Sequence, residues 1–188
     1  MSMSANNLDA AVGEGGMRQQ VMALQRVLTD LSQVVQLLSD EQYGDQSSKA
    51  LRGSVGGHVR HCLDHVRSLL EASTTGFLNY DRRERGTTEE DRKGVALAEI
   101  ERLHDLLAAI SGMPVDKPIE MRGVLGGDGA CATVPSSIGR EVMFVLSHTV
   151  HHSAMVGGLV RSMGITVPDH FGYAPSTLAY QRSQSCAQ

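Results

Sequence analysis

Apolar residues recur every three or four positions along four separate stretches of this 188-residue chain, a period that suits α-helices with one buried face. The first stretch covers residues 17–38 and carries Val21, Leu24, Leu28, Leu31, Val34 or Val35, and Leu38. A polar break, SDEQYGDQSS, separates it from a second helix over 54–77, with Ser54 as N-cap. Gly56 and Gly57 weaken that helix's first turn by about 1 kcal/mol each relative to alanine, which predicts close packing or a near approach of backbone. A third helix, started by a capping box of Thr88 with Asp91 or Thr87 with Glu90, buries Val95, Leu97, Ile100, Leu103, Leu107 and Ile110. The next region is poorly helical; residues 119–125 and 130–134 flank GGDG and predict a small β-hairpin. Pro135 and Ser136 or Ser137 open a long fourth helix over 137–163, closed by Gly164. The expectation is an all-α four-helix bundle over 17–166. A disordered tail, 1–16, precedes it, and an extension without clear period, 167–188, folds back over one end.

This length suits one domain around a single core. A net charge of -4 argues against nucleic acid or an anionic membrane as partner, since both need a concentrated positive surface. Cys62, Cys131 and Cys186 form no CxxC and cannot all pair, so a reducing cytoplasm fits better than a disulfide framework or a zinc ribbon. MSMSANNLDAAVGEGG lacks the basic start and apolar run of a signal peptide, so export is not expected. The longest apolar segment, 141–160, holds a glutamate and three histidines that a bilayer would penalise, and reads instead as the bundle's central helix.

Six of the eight histidines fall on two of these helices: His58, His61 and His65 in GGHVRHCLDHV, and His148, His151 and His152 in LSHTVHHSAMV. At about 100° per residue, Glu141, Val145, His148, His152, Met155 and Leu159 form one stripe, with Phe144 and His151 at its edge. His148 and His152, one turn apart, suit convergence on a single ion. Residues 58, 61 and 65 share a narrow wedge, so one of them can meet that pair. Three neutral imidazoles would leave a divalent ion its full charge and an open position, the arrangement that activates water or a substrate thiol. His58, His65 and His151 are then candidates for a general base. Asp64 and Glu141 are candidates to orient the ligands. Asp64 also reads as a surface charge, whereas Glu141 lies on the apolar stripe, where an unpaired carboxylate is costly. Cys62 reads as packing, and His170 as a loop histidine within reach of the pocket. The competing account treats all six histidines as ordinary core or surface residues.

SVGGHVRHCLDH and FVLSHTVHHSAMVGGLVRSMG resemble the second and last helices of the DinB-like, or YfiT-like, superfamily of metalloproteins. The resemblance implies an up-down-down-up four-helix bundle, cytoplasmic and often homodimeric. It implies one zinc, nickel or iron ion bound by a helix-two histidine and an HxxxH. Carried over, the ligands are His61, which precedes Asp64 by three residues, with His148 and His152; His58 and His65 remain alternatives to His61. HHSAM replaces the frequent HHRGQ, so roles attached to that arginine and glutamine do not transfer. The chemistries implied are transfer or isomerisation with a low-molecular-weight thiol, or hydrolysis, on a small-molecule substrate. A non-catalytic metal- or ligand-binding stress-response module is the alternative.

Overall fold

The computed structural model describes residues 16–47, 53–82 and 86–185. The tail expected to be disordered lies outside the described residues except for Gly16, which begins α1 (Gly16–Gln36); Cys186 lies outside them too. Leu24, Leu28 and Leu31 of α1 are almost fully buried, as their spacing requires. The polar break is not all loop. Ser39 Oγ accepts from Gln42 N while Gln42 Oε1 accepts from Ser39 N, a capping box that starts a one-turn helix, α2 (Asp40–Gly44). That turn delivers buried Tyr43, whose hydroxyl donates to the Glu89 carbonyl at 2.7 Å.

Ser54 caps α3 (Val55–Thr75) by accepting from Gly57 N at 3.0 Å. The helix stops at Thr75 rather than Phe77, because Gly76 takes φ +75° and sends Phe77 into strand β1 (Phe77–Leu78). The third helix is interrupted. Thr87 stands at the N-cap of α4 (Thr88–Asp91) without a side-chain cap bond, so neither expected capping box forms among the described residues. Extended Arg92 then separates α4 from α5 (Lys93–Leu106), which tightens into a 3-10 turn, Leu107–Ile110.

The expected hairpin forms from β2 (Pro118–Val124) and β3 (Cys131–Ser137), in register from Val124↔Cys131 to Pro118↔Ser137. Parallel pairing of β1 with β2, Phe77↔Glu120, makes it a three-stranded sheet, which the all-α expectation lacked. Pro135 lies within edge strand β3 rather than at a helix entry, a place where a missing N–H is tolerated. Ser137 caps α6 (Ile138–Ser162). Beyond it Val167 and Phe171 enter the core, and α7 (Pro175–Ser185) follows.

Polar contacts give the helix directions. Lys93 at the start of α5 donates to the Leu38 carbonyl past the end of α1, and Gln25 Nε2 donates to the His104 carbonyl, so these two helices are antiparallel. Arg60 reaches Glu90 of α4, just ahead of α5, and Arg67, further along α3, reaches Glu99 within α5, so α3 and α5 run the same way. Rings of His58 and His61 meet those of His152 and His148, so α3 and α6 are antiparallel. Consecutive long helices α1 and α3 are bridged by α5 and α6, and the α3–α6 seam carries the histidines. Among the described residues no helix is long and apolar enough to cross a membrane.

Candidate metal centre

Five histidine rings gather on the α3–α6 seam. His61 Nε2 and His148 Nε2 are 3.0 Å apart. Nitrogens bound to one ion at about 2.0–2.1 Å are separated by roughly 3–3.4 Å, so this spacing suits two ligands as well as a hydrogen bond. His61, His65 and His148 offer ligand atoms all within 4.8 Å of one another. The His152 ring centroid stands 4.6 Å from those of both His61 and His148, and its Nδ1 lies 3.0 Å from His58 Nδ1. His151 is exposed on the outer side, 5.3 Å from His152 between centroids. Of the six histidines expected here, the structure thus brings five into one cluster and leaves His151 at its rim.

The tautomer of His65 follows from its partner. A carbonyl only accepts, so the 2.9 Å contact between His65 Nδ1 and the His61 carbonyl puts the hydrogen on Nδ1 and the lone pair on Nε2. The ring itself is clamped. It stacks on His148 at 4.1 Å on one side and on Tyr80 at 4.7 Å on the other. Tyr80 in turn donates to Glu141 Oε2 at 2.9 Å, and burial together with that carboxylate pushes its phenol well above the ordinary range, so it stays a donor. Ser136 Oγ at 2.5 Å and Arg140 at 2.6 Å complete the partners of Glu141, which is fully buried. Glu141 therefore acts on the cluster through Tyr80, not by the direct hydrogen bond to a ligand ring that its position on the stripe suggested. We expect Tyr80→Phe to cost about 1.5–3 kcal/mol in chemical denaturation, the range for a hydrogen bond to a charged group.

Asp64 takes Arg60 at 2.7 Å and Arg67 at 2.9 Å, and Arg67 continues to Glu89 and Glu99. Its carboxylate belongs to an ion-pair network that braces α3 against α4 and α5. Cys62 is buried, its thiol pushed up to about 12 chiefly by burial, which makes it an inert packing residue. His170, read as within reach of the pocket, instead lies 3.9 Å from Asp30 of α1, and His104 pairs with Asp105. Tyr80 was absent from the sequence expectations. Its only signal was an aromatic just past the helix-ending Gly76.

Burial, followed by the neighbouring His148, His58, His151 and His65, pushes His152 down to about 3, so the ring is neutral and able to ligate near neutral pH. An unfolded imidazole protonates near 6.5, so between about 3 and 6.5 the unfolded chain binds the extra proton and stability rises with pH. We expect chelator-treated protein to melt at lower temperature as pH falls from 7 towards about 4, and His152→Gln to lessen that slope.

The DinB family model matches residues 3–182 of this chain. A DinB-like protein of Bacillus subtilis, YjoA, superposes with a TM-score of 0.58 at 16% identity, over 81% of this chain and 98% of that one. YfiT of the same organism, described as a probable metal-dependent hydrolase with an unusual four-helix bundle topology, gives 0.57 at 18% identity over 85% and 94%. An FK506-binding protein 5 of Rhizopus delemar is 30% identical over 122 residues, 64% of this chain; the chain spans about a third of that relative's length, 32%.

Proposed function

The chain belongs to the DinB family, and on that premise we propose that it is a divalent-metal-dependent enzyme acting on a small molecule, with water or a low-molecular-weight thiol as nucleophile. The observation that carries this reading is the 3.0 Å approach of His61 Nε2 to His148 Nε2, with the rings of His65 and His152 beside them. A zinc, nickel or iron ion held by neutral imidazoles keeps its full charge and supplies Lewis acidity to a bound water or thiol. The chain's own residues do the rest. His61 and His148 bring α3 and α6 to the same point, Tyr80 and Glu141 fix His65, and Phe144 with Tyr80 walls one side with aromatic rings 5.1 Å apart. The His58–His152 pair holds one proton between two Nδ1 atoms, and exposed His151 stands where a proton can pass to solvent. The hydrolase description of YfiT favours water as the nucleophile.

A non-catalytic reading rests on the same cluster: an ion held by His61, His65 and His148, with the His152 ring 4.6 Å from that of His148, would act as a strut between helices. The two readings separate by experiment. Metal-loaded protein should hydrolyse a nitrophenyl ester, or gain melting temperature with glutathione, and a chelator should abolish either response. If neither response appears with metal bound, the strut reading stands. A cytoplasmic homodimer is part of the same proposal, supported by the family resemblance and the free thiols of Cys62 and Cys131; sedimentation of the purified protein tests its dimeric part.

A further inference from the structure

Helix α6 turns Leu146, Val150 and Ser153 away from its histidine face, and there the C-terminal segment builds a second cavity. The segment is seated by close contact. A Cβ on Gly172 would lie 2.5 Å from Ala154 Cα, and one on Gly157 would lie 3.2 Å from Phe171 Cδ1. Beyond the seated residues 165–174, α7 flanks a half-open cavity of about 550 Å³ between α1 and α6, within the size range of small-molecule sites.

Its walls are mainly apolar, from Met22, Val27, Leu146, Phe171 and Leu178. Charged groups line it too: Arg26 and Asp30 of α1, Arg182 of α7, and His170, which faces Asp30 at 3.9 Å. Ser153, 2% exposed, also lines it, and its hydroxyl has no hydrogen-bond partner among the described residues, whereas buried hydroxyls are ordinarily satisfied.

We propose that this cavity binds a small amphipathic anion, an apolar body of medium-chain length ending in a carboxylate, at a site separate from the histidine centre. The apolar walls take the body, the two guanidinium groups take the carboxylate through charge-assisted hydrogen bonds, and Ser153 adds a polar contact. None of the six histidines of α3 and α6 lines this cavity.

Titration calorimetry of decanoate into the full, chelator-treated chain tests it, with decanol as the uncharged control. Saturable one-to-one binding is expected, with decanol weaker by at least ~10-fold for want of the ion pair. Arg26→Glu should weaken decanoate and spare decanol. Ala23→Trp, which fills the α1 wall, should abolish both, and His148→Ala should change neither. Leu178→Trp serves as a second blocking variant if Ala23→Trp fails to fold by circular dichroism. The proposal is overturned by absence of binding, by equal affinity for decanol, by binding that survives a folded blocking variant, or by loss of binding in folded His148→Ala.

Discussion

His148→Ala is expected to strip the protein of its divalent ion. His148 sits at the middle of the cluster, with Nε2 at 3.0 Å from His61 and ring centroids at 4.1 Å from His65 and 4.6 Å from His152. Both three-histidine sets in play, with His65 or with His152 as third member, include it together with His61. Disturbing a group that merely orients a ligand costs roughly 10–100-fold in metal affinity, so removal of the ligand should cost at least ~100-fold. Elemental analysis of fresh protein and competition against a chromophoric chelator measure the loss. Stability provides a second readout. An ion at about 100 times its dissociation constant adds about 2.7 kcal/mol, or roughly 5–11 °C of melting temperature for a chain of this size. That metal-dependent increment should vanish in His148→Ala and persist in His151→Ala, whose ring is exposed at the rim. Unchanged stoichiometry in His148→Ala would sink the assignment.

Gly56→Ala is the second large effect, this time on folding. A Cβ there would meet the Glu90 carbonyl oxygen at 1.9 Å and Tyr43 Cε1 at 2.8 Å. Overpacking of this kind costs about 1–3 kcal/mol, more where the obstacle is backbone, and it opposes a gain of about 1 kcal/mol in helix propensity. The clash should win, because α4 is held in place by Arg60–Glu90 and Arg67–Glu89 and has little room to retreat. Gly57 is the internal control. Its nearest would-be contacts are at 3.5 Å, ordinary packing distance, so Gly57→Ala should be neutral or stabilise by up to about 1 kcal/mol. Paired urea titrations compare the two; equal effects would refute the backbone-approach account.

These two glycines illustrate how far the sequence could be read. That something passes close to the start of α3 was legible in GG at the first turn; that it is the Glu90 carbonyl was not, because the contact joins residues far apart in the chain. The bundle's helices were legible because their apolar period reports a buried face directly. Their ends were less so. Phe77 fits the helical pattern, yet Gly76 turns the chain out and a two-residue parallel strand captures it, a pairing decided by β2 some forty positions later. α2 had a signal in Ser39 and Gln42, a capping box without an apolar run behind it. At the site, spacing alone gave the histidine face of each helix but not the partners across the seam. Which ring stacks on which depends on Tyr80, and Tyr80 is placed by the sheet and by Glu141 rather than by any helical phase.

The bridging of α1 and α3 by α5 and α6 also bears on how the molecule is made. During synthesis α3 emerges with its histidine face uncovered, and its partner rings belong to the last long helix, so the cluster cannot assemble until residues 148–152 have left the ribosome. Metal capture is then a late event that closes the bundle rather than a nucleus that starts it. A nascent chain halted before α6 should hold α1, α3 and α5 without a specific ion site, leaving the imidazoles of α3 open to adventitious metal.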